Sequence, residues 1–285
     1  MTTTTPPLTA QNTPRRVPWG RWGIQSAAWT YVTLMLLIPL VVIFQDGLRG
    51  GLGTLWQSVT SPIAWSALRL TLWTSTLMAV VNAIMGTLTA YVLVRYNFPG
   101  KGLLNAIVDL PLAIPTLVTG VMLVVLYGPQ SFIGAWLKDQ MNWKVIFAPP
   151  GIVLALLFVN FPFVVRAVQP VLQSLDLESE EAAATLGAGS ATIFWRVILP
   201  ALWLPIASGA LLSFARAIGE FGAIVIVAGN IPLRSQTAAV YVFGEVESAN
   251  RQGASAMSIV MLSLAFTLVL FVDWLRKRGR KDNEE

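Results

Sequence analysis

The 285 residues contain no cysteine and no histidine. That excludes disulfides, thiolate or imidazole metal sites, thiol nucleophiles and imidazole acid–base chemistry. Charge is also scarce. Lys, Arg, Asp and Glu make up 12% of the chain, against about 25% in a soluble domain. With 55% hydrophobic residues and a mean hydropathy of +0.67 there is little polar surface to solvate a globular fold, so the chain reads as a membrane protein. The net charge of +5 does not point to nucleic acid. The basic residues sit beside apolar segments, where they orient a membrane protein.

What is abundant is tryptophan and long uncharged runs. Eleven Trp suit a chain with many membrane–water boundaries. Uncharged windows lie at 24–44, 70–94, 110–137, 145–165, 197–215 and 252–272. A span needs about 20 apolar residues, which predicts an all-α protein of six transmembrane helices within a membrane domain at 24–275. The third window exceeds one span, and Gly128-Pro129 should end its helix; the fourth should start near Pro150 or Gly151. The first window is too long for a signal peptide and lacks a small-x-small cleavage site. Residues 1–23, rich in Thr and Pro, read as a disordered tail, and 276–285 as a basic or polar tail.

Loop charges suggest an orientation. With the N-terminus in the cytoplasm, twelve Lys and Arg fall in inner segments, among them Arg95 and Arg166, against five in outer ones. Both termini are then expected inside. The stretch from Val197 to Asn230 is too long for one helix and too short for two with a turn. It reads as a helix to about Ala217 followed by a partly buried segment, "GEFGAIVIVAGN", with a long helix kinked at Gly219 as the alternative.

One polar stretch interrupts the apolar chain. "DLESEEAAATLGAG" reads as a short helix: acidic residues crowd its N-terminus, where they favour the dipole, and Gly187 is placed to end it. "SATIFWRVI" continues it by a turn or two, and Pro200 opens the next span. A compact knob within a loop at 169–196 is the result.

This stretch resembles the loop signature of permeases of ATP-binding cassette (ABC) importers. The matching residues are Glu181, Ala182, Ala183, Gly187, Val197, Leu199 and Pro200; the family more often has Ile at the place of Val197. "RYNFPGKGLLNAIVDLPLAIPTLVTGVMLVVLYG", "NFPFVVRAVQPVLQSLDLESEEAAATLGA" and "SFARAIGEFGAIVIVAGNIP" look like sulfate permease subunits, most like the T-type subunit of sulfate/thiosulfate importers. Molybdate permeases share the third block and the loop. The resemblance implies the type I permease fold in a bacterial inner membrane. It also implies a second permease subunit, two ATPase subunits that dock the knob, an extracytoplasmic sulfate-binding protein, and ATP with Mg in the partner ATPase. No cofactor is expected in this chain, whose nearest phosphate-loop candidate, "FPGKG", lacks the upstream Gly and the Ser or Thr after Lys. No catalytic residue and no metal site are expected. An ion-coupled secondary transporter is the rival from another class. It would often show an inverted repeat and several midplane charges, and neither is seen here.

Candidates for the translocation pathway follow from polarity within apolar runs. Arg216 and Glu220 lie four apart on one helical face, as a gate element or as a mutually neutralising pair. Asn82 lies mid-span, to bond across helices or line the path. Pro111 and Pro115 free backbone groups in the third helix, or Pro111 starts it. Gly219 and Gly222, with Gly229, allow either close helix packing or N–H groups facing an oxyanion.

Overall fold

The structure is a computed structural model in which residues 19–281 are described, and all regular structure among them is helical. In chain order the helices are α1 (Trp22–Leu48), α2 (Gly51–Thr60), α3 (Pro62–Arg95), α4 (Lys101–Ala113), α5 (Thr116–Tyr127), α6 (Phe132–Met141), α7 (Pro149–Ser174), α8 (Leu177–Thr185), α9 (Ser190–Ile218), α10 (Gly222–Ala228), α11 (Ala238–Glu247) and α12 (Arg251–Lys281). Five of them, α1, α3, α7, α9 and the apolar part of α12, are long and apolar enough to cross a membrane. The pair α4 and α5 makes a sixth if taken as one bent span.

Each predicted window has its helix, but the boundaries differ in informative ways. The third window is not one helix ending at Gly128. It is two helices bent by 109° at Ile114-Pro115, and only the second ends at Tyr127, before Gly128. A residue before proline avoids the α region, and Ile114 is extended (φ −81°, ψ 128°). Pro111 does not start the helix; it lies inside α4, in its last turn. The fourth helix starts at Pro149. At the N-terminus the predicted tail ends earlier than expected: Trp19–Val32 is already helical, and residues 1–18 lie outside the described residues. At the other end α12 continues through the predicted tail to Lys281, beyond which residues are not described.

Pro200 does not open a new span. Ser190–Ile218 is one helix of 29 residues, and the turn just before Pro200 is a π turn, Phe194–Ile198, in which the Leu199 N–H donates to the Phe194 carbonyl. Proline lacks an N–H and crowds the carbonyl four residues back. A wider turn relieves both. The same device precedes Pro39 in α1, where Thr33–Leu37 is a π turn and the Ile38 N–H donates to Thr33.

From Phe44 onward the chain forms one compact unit centred on α7. In lipid, helices gain little from hydrophobicity and associate through close packing. At Gly86 of α3 a Cβ would lie 2.9 Å from the Val164 Cβ; at Gly209 of α9 it would lie 3.1 Å from the Val164 Cα and 2.8 Å from the Ala167 Cβ. Two glycines thus let α3 and α9 approach α7 at one level. A buried cluster of Ala90, Leu93, Val108, Val168, Leu172 and Leu202 closes the Ser174 end of α7. A second, of Ile152, Leu156, Met78, Ala217, Ile224 and Val240, lies nearer its Pro149 end. With 34 residues, α3 is about 51 Å long, some 20 Å more than a hydrocarbon core. Its Arg95 end therefore has length to reach the knob.

Candidate functional site

The knob forms at the Ser174 end of the bundle. Asp176 caps α8, its carboxylate accepting from the Glu178 N–H at 3.1 Å. Glu178 and Glu180 follow in the first turn, where negative charge suits the helix dipole. The C-terminus closes as a Schellman motif: the Gly187 N–H donates to Ala184 at 2.9 Å and the Ala188 N–H to Ala183 at 3.0 Å. Gly187 has φ +86°, the left-handed conformation expected of it. This turn holds Leu186 out in solvent at 89% exposure. Glu181, Ala182 and Ala183 lie on α8, whereas Val197, Leu199 and Pro200 lie on α9, which begins at Ser190. Within the segment 169–196 expected to carry the knob, 169–174 continues α7 and 190–196 begins α9.

Two ion pairs brace this end, and sequence reading missed both. Arg95, at the C-terminal end of α3, pairs with Glu180 in the first turn of α8; their side chains are only 13% and 16% exposed. The pair joins a helix C-terminus to a helix N-terminus, so each charge also faces the dipole end that favours it. Beside it Tyr91 meets Phe194 edge-on with ring centroids 5.4 Å apart. Arg166, counted above as a loop charge, lies inside α7 and clamps α4. It binds Asp109 through two bonds of 2.7 and 2.5 Å, Asn105 through its side chain at 3.0 Å and its carbonyl at 3.1 Å, and Gln169 at 2.5 Å. The only signal in the sequence was a lone Arg bordering an apolar run; its partner is 57 residues away.

Arg216 and Glu220 do meet, at 2.5 Å. Glu220 is 2% exposed and its other oxygen accepts from the Ala223 N–H at 3.2 Å, capping α10; the Arg216 side chain is 37% exposed. One carboxylate thus ties the end of α9 to the start of α10. The chain turns between them at Gly219, so the alternative of a single long helix kinked there does not hold. Gly219 is open on its Cβ side, while a Cβ at Gly222 would come within 2.2 Å of Thr116 Oγ1 and one at Gly120 within 2.8 Å of the Ala223 carbonyl. Close packing of α10 on α5 is what those two glycines provide. Gly229 (φ +71°) ends α10 against the Phe147 ring. Asn82 is buried and bonds across to the Leu157 carbonyl of α7 at 3.3 Å, as well as to Met78 Sδ. Pro115 caps α5 at the bend.

The arrangement is that of a membrane-spanning helical subunit with a polar knob at one end. The polar knob is joined to three long helices, and nothing among the described residues covers its exposed tip. Comparison with known proteins agrees. A family model described as "Binding-protein-dependent transport system inner membrane component" matches residues 82–281. A protein of Nephroselmis olivacea named "Probable sulfate transport system permease protein cysT" is 41% identical over 96% of this chain and 94% of its own. The "Sulfate transport system permease protein CysT" of Synechocystis sp. is 39% identical over 91% and 92%. Among solved structures, a chain of a bacterial alginate ABC transporter, crystallised with its alginate pentasaccharide-bound periplasmic protein, superposes with a TM-score of 0.76 at 18% identity, covering 92% of this chain and 95% of that one. That fold is the ABC importer permease fold, and the chain belongs to the family of inner-membrane components of binding-protein-dependent transport systems.

Proposed function

We propose that this chain is one of two permease subunits of an ATP-driven importer that carries sulfate across the bacterial inner membrane. The observation that carries this reading is the near-full-length similarity, at about 40% identity, to proteins named for sulfate transport. The second permease, two ATPase subunits with ATP and Mg, and an extracytoplasmic sulfate-binding protein complete the machine. Both termini and the knob face the cytoplasm, in keeping with the bias of Lys and Arg.

The knob transmits force. Leu186 and the flanking Ala face of α8 enter a cleft of the ATPase, and Glu181 meets a basic group there. When the ATPases close, the knob moves as a unit because the Schellman turn fixes its shape. Three connections spread the motion: the covalent link to α7, the unbroken helix α9, and the Arg95–Glu180 pair to α3. The Arg216–Glu220 pair acts in the first place to hold the turn between α9 and α10. Its partly exposed guanidinium, already compensated by Glu220, attracts a passing anion only weakly, which suits release. Asn82, Pro111, Pro115 and the glycines shape the helices around the path.

The deciding experiment is uptake of labelled sulfate by a strain lacking this chain, with and without its restoration, competed by unlabelled thiosulfate and molybdate. Restored uptake, suppressed by unlabelled sulfate, is expected. Restored uptake of molybdate in place of sulfate would refute the substrate assignment.

A further inference from the structure

At the end of the bundle away from the knob, three cations from three separate segments converge on one concavity of about 370 Å³: Lys138 of α6, Lys144 of the connection to α7, and Arg234 of the turn after α10. The two ends are distinct because Pro149, just past Lys144, and Ser174, just before the knob, terminate the same helix of 26 residues, about 39 Å long. Tyr127, Trp143 and Phe147 supply apolar wall, and no Asp or Glu among the described residues lines the space. The ion pairs among the described residues engage other cations.

The shape is held against strain. Asn142, Phe147 and Leu233 have φ of 51°, 60° and 61°. For Phe and Leu that conformation is a true outlier, and such outliers persist where surrounding structure enforces them, often at functional sites. Here the Phe147 N–H is anchored on the Val227 carbonyl at 2.8 Å. At Gly134 a Cβ would lie 2.5 Å from the Tyr127 carbonyl oxygen and 2.1 Å from that of Gly128, so the wall closes only with glycine there.

We propose that this concavity is a collecting site for a tetrahedral oxyanion of the sulfate class, holding it loosely at the outer mouth. This deepens the proposed function and rests on it. A cleft lined by one sign of charge with walls of low dielectric focuses its field and concentrates counter-ions. The cations are exposed, so they attract a dianion through solvent without trapping it. Three positive charges with no lining carboxylate favour a dianion over a monovalent anion.

The chain has no cysteine of its own, which permits a direct test of the local potential. A single cysteine replaces Pro129, which lines the site, and a second version replaces Ile231, so that loss of fold at one position does not spoil the test. The assembled transporter, in vesicles and with thiol-free partner subunits, is treated with anionic, cationic and neutral methanethiosulfonates. The anionic-to-cationic rate ratio should fall by about tenfold or more in K138Q/K144Q/R234Q, with the neutral rate unchanged. Sodium sulfate should slow the anionic reagent more than sodium chloride at equal ionic strength. An unchanged ratio overturns the inference. So does equal slowing by both salts, which is screening alone. Protection by an acidic extracytoplasmic protein, with none by sulfate, would show a docking surface instead and overturns it too. Sulfate uptake is scored in the vesicles that keep Lys138, Lys144 and Arg234: no protection by sulfate with intact uptake refutes this inference alone, and protection without uptake refutes the proposed function alone.

Discussion

Replacing Arg95 by Met is predicted to uncouple the knob from α3 without dislodging the permease from the membrane. Arg95 and Glu180 are 13% and 16% exposed, and Arg95 Nε is buried with no hydrogen-bond partner. Removing one member of a buried pair costs about 3–5 kcal/mol, chiefly because the survivor is stranded; with some residual exposure the lower end applies. At 1.36 kcal/mol per tenfold, about 3 kcal/mol shifts the equilibrium between strapped and released knob by roughly 150-fold. Arg95→Met and Glu180→Gln should each lower sulfate transported per ATP hydrolysed in reconstituted vesicles by tenfold or more. The ATPase subunit should still co-purify, because Leu186 and the Schellman turn are untouched. Arg95→Met/Glu180→Gln leaves neither charge stranded and should recover much of the loss, and the swap Arg95→Glu/Glu180→Arg should recover part of it. Single variants that transport like the parent would refute the strap. A double variant no better than either single would show that the pair is not compensating.

Gly187→Val places a β-branched residue at φ +86°, at a cost of about 1–2 kcal/mol. Because nothing lies within 4 Å of the added Cβ, the effect is backbone strain alone; membrane levels should hold while recovery of the ATPase in a pull-down drops. Arg216→Met strands a Glu220 carboxylate that is 2% exposed and should cut folded protein in the membrane by the 3–5 kcal/mol logic. Arg216→Met/Glu220→Gln keeps an oxygen for the Ala223 N–H and should express better; a double variant that is well expressed yet as inactive as the single would instead make Arg216 an anion contact. Single cysteines at 98 and 190 should label only from the cytoplasmic side, and outside labelling at 190 would overturn the placement of the knob.

Much of the site was legible because its signals are local. Asp176, the Glu-Ala run and Gly187 obey capping and propensity rules that act within one or two turns, so the helix, its dipole-matched charges and its left-handed stop follow from adjacent residues alone. Arg216 and Glu220 were paired by the four-residue period of a helix. The break after Ala217 was visible because 34 apolar residues exceed one span.

Composition and run length by themselves pointed to an all-helical membrane protein of six spans, and local chemistry determined the knob. The tertiary structure decided everything that joins residues far apart in the chain. Arg95 meets Glu180 across 85 positions and Arg166 meets Asp109 across 57; no periodicity relates them, since their distance is set by how α3 and α4 pack on α7 and by where α8 follows it. It decided, too, that Gly86 and Gly209 flank one valine, and that Lys138, Lys144 and Arg234 share one mouth. The effect of two prolines was settled by the fold for the same reason. Whether Pro115 bends a helix by 109° or Pro200 rides inside one behind a π turn depends on which neighbours satisfy the freed backbone, and those neighbours are chosen by the fold.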